Sequence, residues 1–265
     1  MSSREGSAPF DTSVAHIARV YDYWLGGKDN YAADREAAEQ AIAANPGIRA
    51  GVRANRAFLA RAVRYLAGEC GIRQFLDIGT GIPTADNTHE VAQSVVPQSR
   101  VVYVDNDPIV LLHARALLAS GPAGTADYID SDLRDTDRIL AGAARTLDFG
   151  EPIAVMMLLV LHLIPDSDDP YGIVSRLKAA IPPGSYLVIT HVASDIEVDA
   201  MAEMAQRLNQ MVAQKGTMRD KAGIMRFFDG LTLVEPGLVQ PQLWRPAGPV
   251  SSANVAAWSG VARKQ

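Results

Sequence analysis

Short, nearly unbroken apolar runs alternate along this chain with segments whose apolar residues recur every three or four positions. Phe75, Leu76 and Ile78 surround Asp77 and stop at Gly79-Thr80-Gly81; Val101-Val102-Tyr103-Val104 ends on Asp105. Ala126 to Ile129 is a weaker third run, Ile153 to Leu161 the most apolar stretch, and Ser185 to Thr190 a further strand ending at His191. Runs apolar throughout, bounded by Gly or Pro, predict parallel strands buried on both faces. The intervening segments predict helices: 48–67, where Val52, Leu59, Ala62, Val63 and Leu66 form one stripe with arginines outside it, then 89–94, 136–147 and 171–180. Another opens at Pro108, a residue pre-organised for a first helical position, with Ile109 and Leu112 on its buried side and His113 inside it. Strand–helix alternation repeated this often selects an α/β fold: a doubly wound, mostly parallel sheet with helices on both faces.

The two ends differ from this middle. A first helix from Thr12 or Ser13 places Ile17, Val20, Tyr21, Trp24 and Leu25 at helical spacing and stops at Gly26-Gly27; a second covers Ala32 to Ala44 and breaks at Asn45-Pro46-Gly47. Residues 1–47 therefore read as an N-terminal helical cover on an integrated α/β unit of residues 48–265, either touching ligand or packing as an appendage. In the tail, 198–214 carries Met201, Met204, Leu208 and Met211, a core stripe or the wall of a substrate pocket. A helix at 219–228 follows. Runs at 231–235 and 256–262 predict a closing antiparallel hairpin, making seven strands.

A glycine turn after one strand and a carboxylate at the tip of the next form the two halves of a nucleoside-binding crevice. A dinucleotide site requires a third glycine, yet Thr84 stands there beside Pro83, and the Gly-Lys-Ser/Thr of a phosphate loop is missing. The loop suits close approach of a ligand better than it suits pyrophosphate, which disfavours an NAD-linked oxidoreductase. Phe75 through Thr84, Val101 through Pro108, Tyr21 through Asn30, Leu161-His162, Phe228 through Leu231 and Val234 through Leu238 together resemble the class I S-adenosylmethionine-dependent methyltransferases. Within that class the chain is most similar to an actinobacterial family of S-adenosyl methyltransferases. It departs from the broad pattern at Pro83, where many such enzymes carry glycine.

That resemblance implies S-adenosylmethionine as cofactor. It places Gly79 and Gly81 under the amino-acid part, Asp77 toward water or the ammonium, Asp105 on the ribose hydroxyls, and Asp132 with the Leu133 backbone at the adenine edge. Thr80 and Asn106 fall in the same crevice. Each acid also has a structural reading: Asp77 as a turn carboxylate, Asp105 as a helix cap, Asp132 as one polar loop residue among several. Tyr21 offers an aromatic face to a sulfonium or packs against the sheet. Lys28 reaches a carboxylate of cofactor or acceptor, or stays in solvent.

Methyl transfer by direct displacement relies on alignment, with a base only where the acceptor needs one. His162 and His191 both follow strands and are the candidate catalytic residues, a structural hydrogen bond being the alternative for each; no metal motif is present. The formal charge of -5 and the absence of an Asn/Asp-Pro-Pro-aromatic segment after the central strand disfavour nucleic acid, leaving a small-molecule acceptor. One cysteine, Cys70, excludes an internal disulfide. No apolar run approaches membrane length and Met1 to Pro9 is no secretory signal, so a cytoplasmic protein is expected. The apolar stripes of the N-terminal helices are compatible with a homodimer. A non-catalytic sensor of the same cofactor is the alternative function.

Overall fold

The structure, a computed structural model, describes residues 11–110, 112, 125–250 and 252–265. Seven strands form one sheet: β1 (Gln74–Ile78), β2 (Arg100–Asp105), β3 (Thr125–Asp130), β4 (Ala154–Leu158), β5 (Tyr186–Val192), β6 (Thr232–Leu233) and β7 (Ala257–Arg263). Their order is β3-β2-β1-β4-β5-β7-β6. The first five are parallel, and β7 inserts antiparallel between β5 and β6, which is the predicted closing hairpin. Chain order runs outward from β1 in one direction and from β4 in the other, so their carboxyl ends form the switch point where ligands bind in open sheets.

One face of the sheet packs on α3 (Ile48–Gly68) and α4 (Thr88–Val95), burying Phe58, Leu59, Val63 and Leu66 against Phe75, Val101 and Met156. The other packs on α5 (Thr136–Ala143) and α6 (Pro170–Ala180), through Ile139, Ile173, Val174 and Leu177. β1 and β4 are buried at every residue, which explains the unbroken apolar run of β4 and leaves Gln74 and Asp77 of β1 as buried polar side chains.

Above the strand tips sit α1 (Ile17–Leu25), α2 (Ala32–Ala44) and α7 (Val198–Met211). Val20, Trp24, Ala37, Ala41, Met201, Met204 and Leu208 share one apolar cluster. The roof thus unites the N-terminal helices with the methionine-bearing helix of the tail. The corner after α1 closes on Asp22, whose Oδ2 accepts from the Asp29 N–H at 3.0 Å and from Asn30 Nδ2 at 2.8 Å. Gly26 takes φ +88°, and a Cβ on Gly27 would collide with the Asp22 carboxylate.

Several predicted boundaries move. The first helix starts at Ile17, with His16 rather than Thr12 or Ser13 before it. β4 ends at Leu158 instead of Leu161, because Leu159 turns to φ +53° and a 3-10 turn, Leu161–Leu163, follows. The sixth predicted helix ends at Ala143, and the 219–228 segment is a short helix, α8 (Lys221–Met225), continued by a 3-10 turn. Leu112 is exposed, not buried, and His113 lies outside the described residues. The arginine face on α3 is also not uniformly solvated: Arg61 donates to the carbonyls of Trp244 and Pro241, and Arg56 to those of Ala85 and Asp86.

Candidate active site

The β1 turn is held by backbone geometry that glycine permits. Gly79 has φ +76° and Gly81 φ +67°, and a side chain on Gly79 would run into Val160 at the end of β4. At Gly81 a Cβ would meet nothing within 4 Å, so this residue faces open space. The Gly79 N–H donates to the Val104 carbonyl at 2.8 Å and the Gly81 N–H to Asp105 Oδ2 at 2.7 Å, which ties the turn to the tip of β2. Asp105 Oδ1 accepts the N–H groups of Asn106 and Asp107 at 2.8 and 3.0 Å. Burial nevertheless raises the Asp105 carboxyl above its usual range, against the pull of these donors.

Asp77 lies one residue before the carboxyl end of the buried β1. Its Oδ2 accepts from Thr88 Oγ1 at 2.6 Å, and burial pushes its carboxyl up to about 6, opposed by that bond and by Arg56. Thr80 Oγ1 donates to the Asp77 carbonyl at 3.1 Å. Beyond β3, Asp132 accepts from the Arg134 N–H at 2.8 Å and from Asn106 Nδ2 at 3.2 Å, beside buried Leu133.

One cavity joins these residues to an apolar chamber under the roof. Asp77, Gly79, Thr80, Gly81, Asp105, Asn106, Asp132 and Leu133 border its strand-tip end, and Tyr21 and His162 border it as well. Asp105 and Gly79 therefore face one space, as the crevice requires. Two candidates from the sequence are placed elsewhere. Lys28 is exposed and off the cavity, because the corner gathered on Asp22 turns it outward. His191 does not line the cavity either: β5 continues through it, pairing it with Trp258 of β7. Its Nε2 lies 2.9 Å from Arg219 Nη1 and its Nδ1 2.8 Å from the Val192 carbonyl. Because a guanidinium only donates, Nε2 accepts and Nδ1 carries the proton. Burial, then the neighbouring His162, lowers this imidazole to about 3.

His162 sits on the turn after β4, its Nδ1 buried without a partner and its ring lowered to about 4, by burial first and Arg219 second. Arg219 holds this turn, donating to the carbonyls of Leu161 at 3.1 Å and Ile164 at 2.8 Å and pairing with Asp166 at 2.6 Å. Sequence reasoning missed Arg219, which carries no motif. It also missed Arg56, His16 and Asn55 on the cavity wall. The spacing held a signal for Arg56: four residues after Val52 and three before Leu59, it belongs to the inward stripe of α3. His16 pairs with Asp107 at 2.7 Å, linking the start of α1 to the end of β2 and drawing the Asp107 carboxyl below its usual range despite burial.

A glycine turn and an acid-tipped strand at the switch point of a sheet ordered 3-2-1-4-5-7-6 define a class I S-adenosylmethionine-dependent methyltransferase. The chain belongs to the S-adenosyl methyltransferase family, whose model matches residues 3–265. It is similar to a DUF574 family protein from Streptomyces avermitilis: 44% identity, TM-score 0.92, covering 96% of this chain and 99% of that one. A methyltransferase structure from Thermobifida fusca is 41% identical at TM-score 0.91, with 100% of both chains covered. The N-methyltransferase NodS from Bradyrhizobium japonicum, in complex with S-adenosyl-L-homocysteine, is 15% identical at TM-score 0.50, over 93% of this chain and 98% of that one, and shares the fold alone. No curated protein matches the chain. The donor set fits the cofactor: carboxylates and one guanidinium line the space that Gly81 leaves open, suiting a ligand with an ammonium, hydroxyls, an amine and a carboxylate.

Proposed function

We propose that this cavity carries out methyl transfer from S-adenosylmethionine to a small-molecule acceptor, with the strand tips holding the cofactor and the roof enclosing the acceptor. One observation carries the reading: a single cavity runs from Asp77, Asp105 and Asp132 to the chamber walled by α1, α3 and α7. Bound there, the cofactor supplies an electrophilic methyl group on a sulfonium. The backbone at Gly79 and Gly81 allows its amino-acid part to approach closely. Asp105 accepts from the ribose hydroxyls with the lone pairs that its N–H donors leave free, and Asp132 with the Leu133 backbone meets the adenine edge. Arg56, not Lys28, stands where the cofactor carboxylate would need a cation. The described part of residues 1–47 acts with α7 to exclude water, and Tyr21 presents its ring from that roof.

Among the described residues, no helix is long and apolar enough to cross a membrane. The net charge of -5 gives little attraction for nucleic acid, in keeping with a small acceptor. The acids along the cavity would also repel the pyrophosphate of a dinucleotide. Calorimetry should therefore show S-adenosylmethionine and S-adenosylhomocysteine binding in the micromolar range and NAD not binding; tighter binding of NAD would overturn the reading.

The raised Asp77 carboxyl adds a pH dependence. Below about pH 6 Asp77 is protonated in the free protein, and above it the carboxylate is available to the cofactor ammonium. Affinity for S-adenosylhomocysteine is thus expected to rise by up to about tenfold in total between pH 5 and pH 7, most steeply below pH 6 and levelling off above it. Asp77→Asn should flatten that profile. The sign for folding is opposite: a raised carboxyl favours the folded state most below its unfolded pKa, and this contribution is lost as pH climbs through about 6.

A further inference from the structure

The chamber under the roof is walled by Trp24, Val52, Met201, Met204, Leu208 and Met218. Its polar neighbours are occupied with one another. Asn55 donates to Tyr21 Oη at 2.9 Å and accepts from Thr190 Oγ1 at 2.7 Å, and Tyr21 donates in turn to the Val52 carbonyl at 3.3 Å. Asn45 accepts the Gly47 N–H at 2.9 Å and points its amide at Met201 Sδ, 3.1 Å away. Asn209 exchanges two hydrogen bonds with the Gly216 backbone, at 2.8 and 3.1 Å. Every one of these side chains is satisfied internally and offers a ligand little beyond its apolar edge.

Among the described residues bordering this chamber, half-buried Gln214 makes no side-chain hydrogen bond, and His162 keeps its Nδ1 buried without a partner. The ionisable groups bordering the rest of the cavity, His16, Arg56, Asp77, Asp105 and Asp132, belong to the strand tips and the long helix beside them. Among the described residues of the chamber itself, no acid, lysine or arginine stands opposite the methionines. A charged acceptor would lose its hydration there without a counter-ion, whereas an apolar ring would gain contact area. The soft methionine wall adapts to an aromatic outline.

Resting on the reading of this cavity as a methyl-transfer site, we infer that the acceptor is an uncharged, mainly apolar small molecule that presents one neutral O–H or N–H to His162. Burial first and the nearby Arg219 second keep the imidazole neutral across the physiological range, and it accepts that hydrogen and fixes which atom faces the cofactor end. Cationic ammonium and anionic carboxylate acceptors are both excluded by the same wall.

Calorimetry on the intact protein saturated with S-adenosylhomocysteine, at about pH 7.5, tests this with three probes of one ring system. 2-Naphthol is neutral, 2-naphthoate anionic and 2-naphthylmethylammonium cationic. The expected result is binding of 2-naphthol at least about tenfold tighter than either charged probe. His162→Phe, which keeps an aromatic ring, should weaken 2-naphthol by about three- to tenfold, the loss of one neutral hydrogen bond. Equal or tighter binding of a charged probe overturns the inference, as does no binding of any of the three while S-adenosylhomocysteine binds. An unchanged 2-naphthol affinity in folded His162→Phe removes His162 from the acceptor site. Failure of S-adenosylhomocysteine itself to bind is a different result and strikes the cofactor reading instead. The charge series uses wild-type protein, so it stands even if the variant does not fold.

Discussion

Replacing Asp105 with alanine is expected to weaken S-adenosylhomocysteine binding by roughly ten- to a hundredfold, measured by calorimetry. The magnitude follows from the loss of the charge-assisted hydrogen bonds proposed between this carboxylate and the ribose hydroxyls, worth about 1.5–3 kcal/mol, at about 1.4 kcal/mol per decade. The same carboxylate also holds the N–H groups of Gly81, Asn106 and Asp107, so part of the loss comes from loosening of the glycine turn. Asp105→Asn separates the two contributions, since its amide oxygen still accepts from one side of the turn. That variant should retain most of the thermal stability while losing affinity. An unchanged dissociation constant in Asp105→Ala would remove this residue from the site.

Arg219→Met is expected to lower folding stability by about 2–5 kcal/mol and to loosen the turn that carries His162. Arg219 is only 6% exposed, and methionine fills similar volume without its donors. The Ile164 carbonyl and His191 Nε2 then have no partner, and each unsatisfied buried acceptor costs about 1–3 kcal/mol. The Leu161 carbonyl loses less, because it also accepts the Ile164 N–H at 3.2 Å. Asp166 is largely exposed, so its lost ion pair adds little. Denaturant unfolding checks the stability. A shift below about 1 kcal/mol would mean that the turn is held by packing instead. Lys is a poor rescue here, since one ammonium cannot reproduce the fork that reaches two carbonyls, an imidazole and a carboxylate.

The two histidines show how far strand-end reasoning reaches. Both follow apolar runs, and the sequence treats them alike. In the structure β4 ends three residues short of the predicted limit, and the chain turns back at Leu159, which brings His162 to the cavity. β5 instead continues through His191, because β7 lies against it and pairs residue for residue as far as Ala257. Where a strand ends depends on its neighbour, and the partner of β5 arrives about 65 residues later, at a place that no local pattern specifies.

Lys28 and Arg56 make the same point about charge. A lysine beside a glycine corner is conspicuous in the sequence, yet the corner folds onto Asp22 and directs it outward. Arg56 is one arginine among five on a long segment, and only the docking of α3 beside the glycine turn sets it on the cavity wall.

What the chain determined by itself is the sheet and its crevice: apolar runs of strand length, glycines where the backbone turns to positive φ, and an acid at the tip of the second strand. These follow from local sterics and from burial on both faces, which act within a few residues. Tertiary structure alone decided how the helices of the roof come together and which side chains act beneath it. α7 joins α1 and α2 across more than 150 residues, and Arg219 reaches the His162 turn from a separate segment. Such side chains have their surroundings fixed by elements remote in sequence, so their burial, their partners and their titration appear only once the chain has closed on itself.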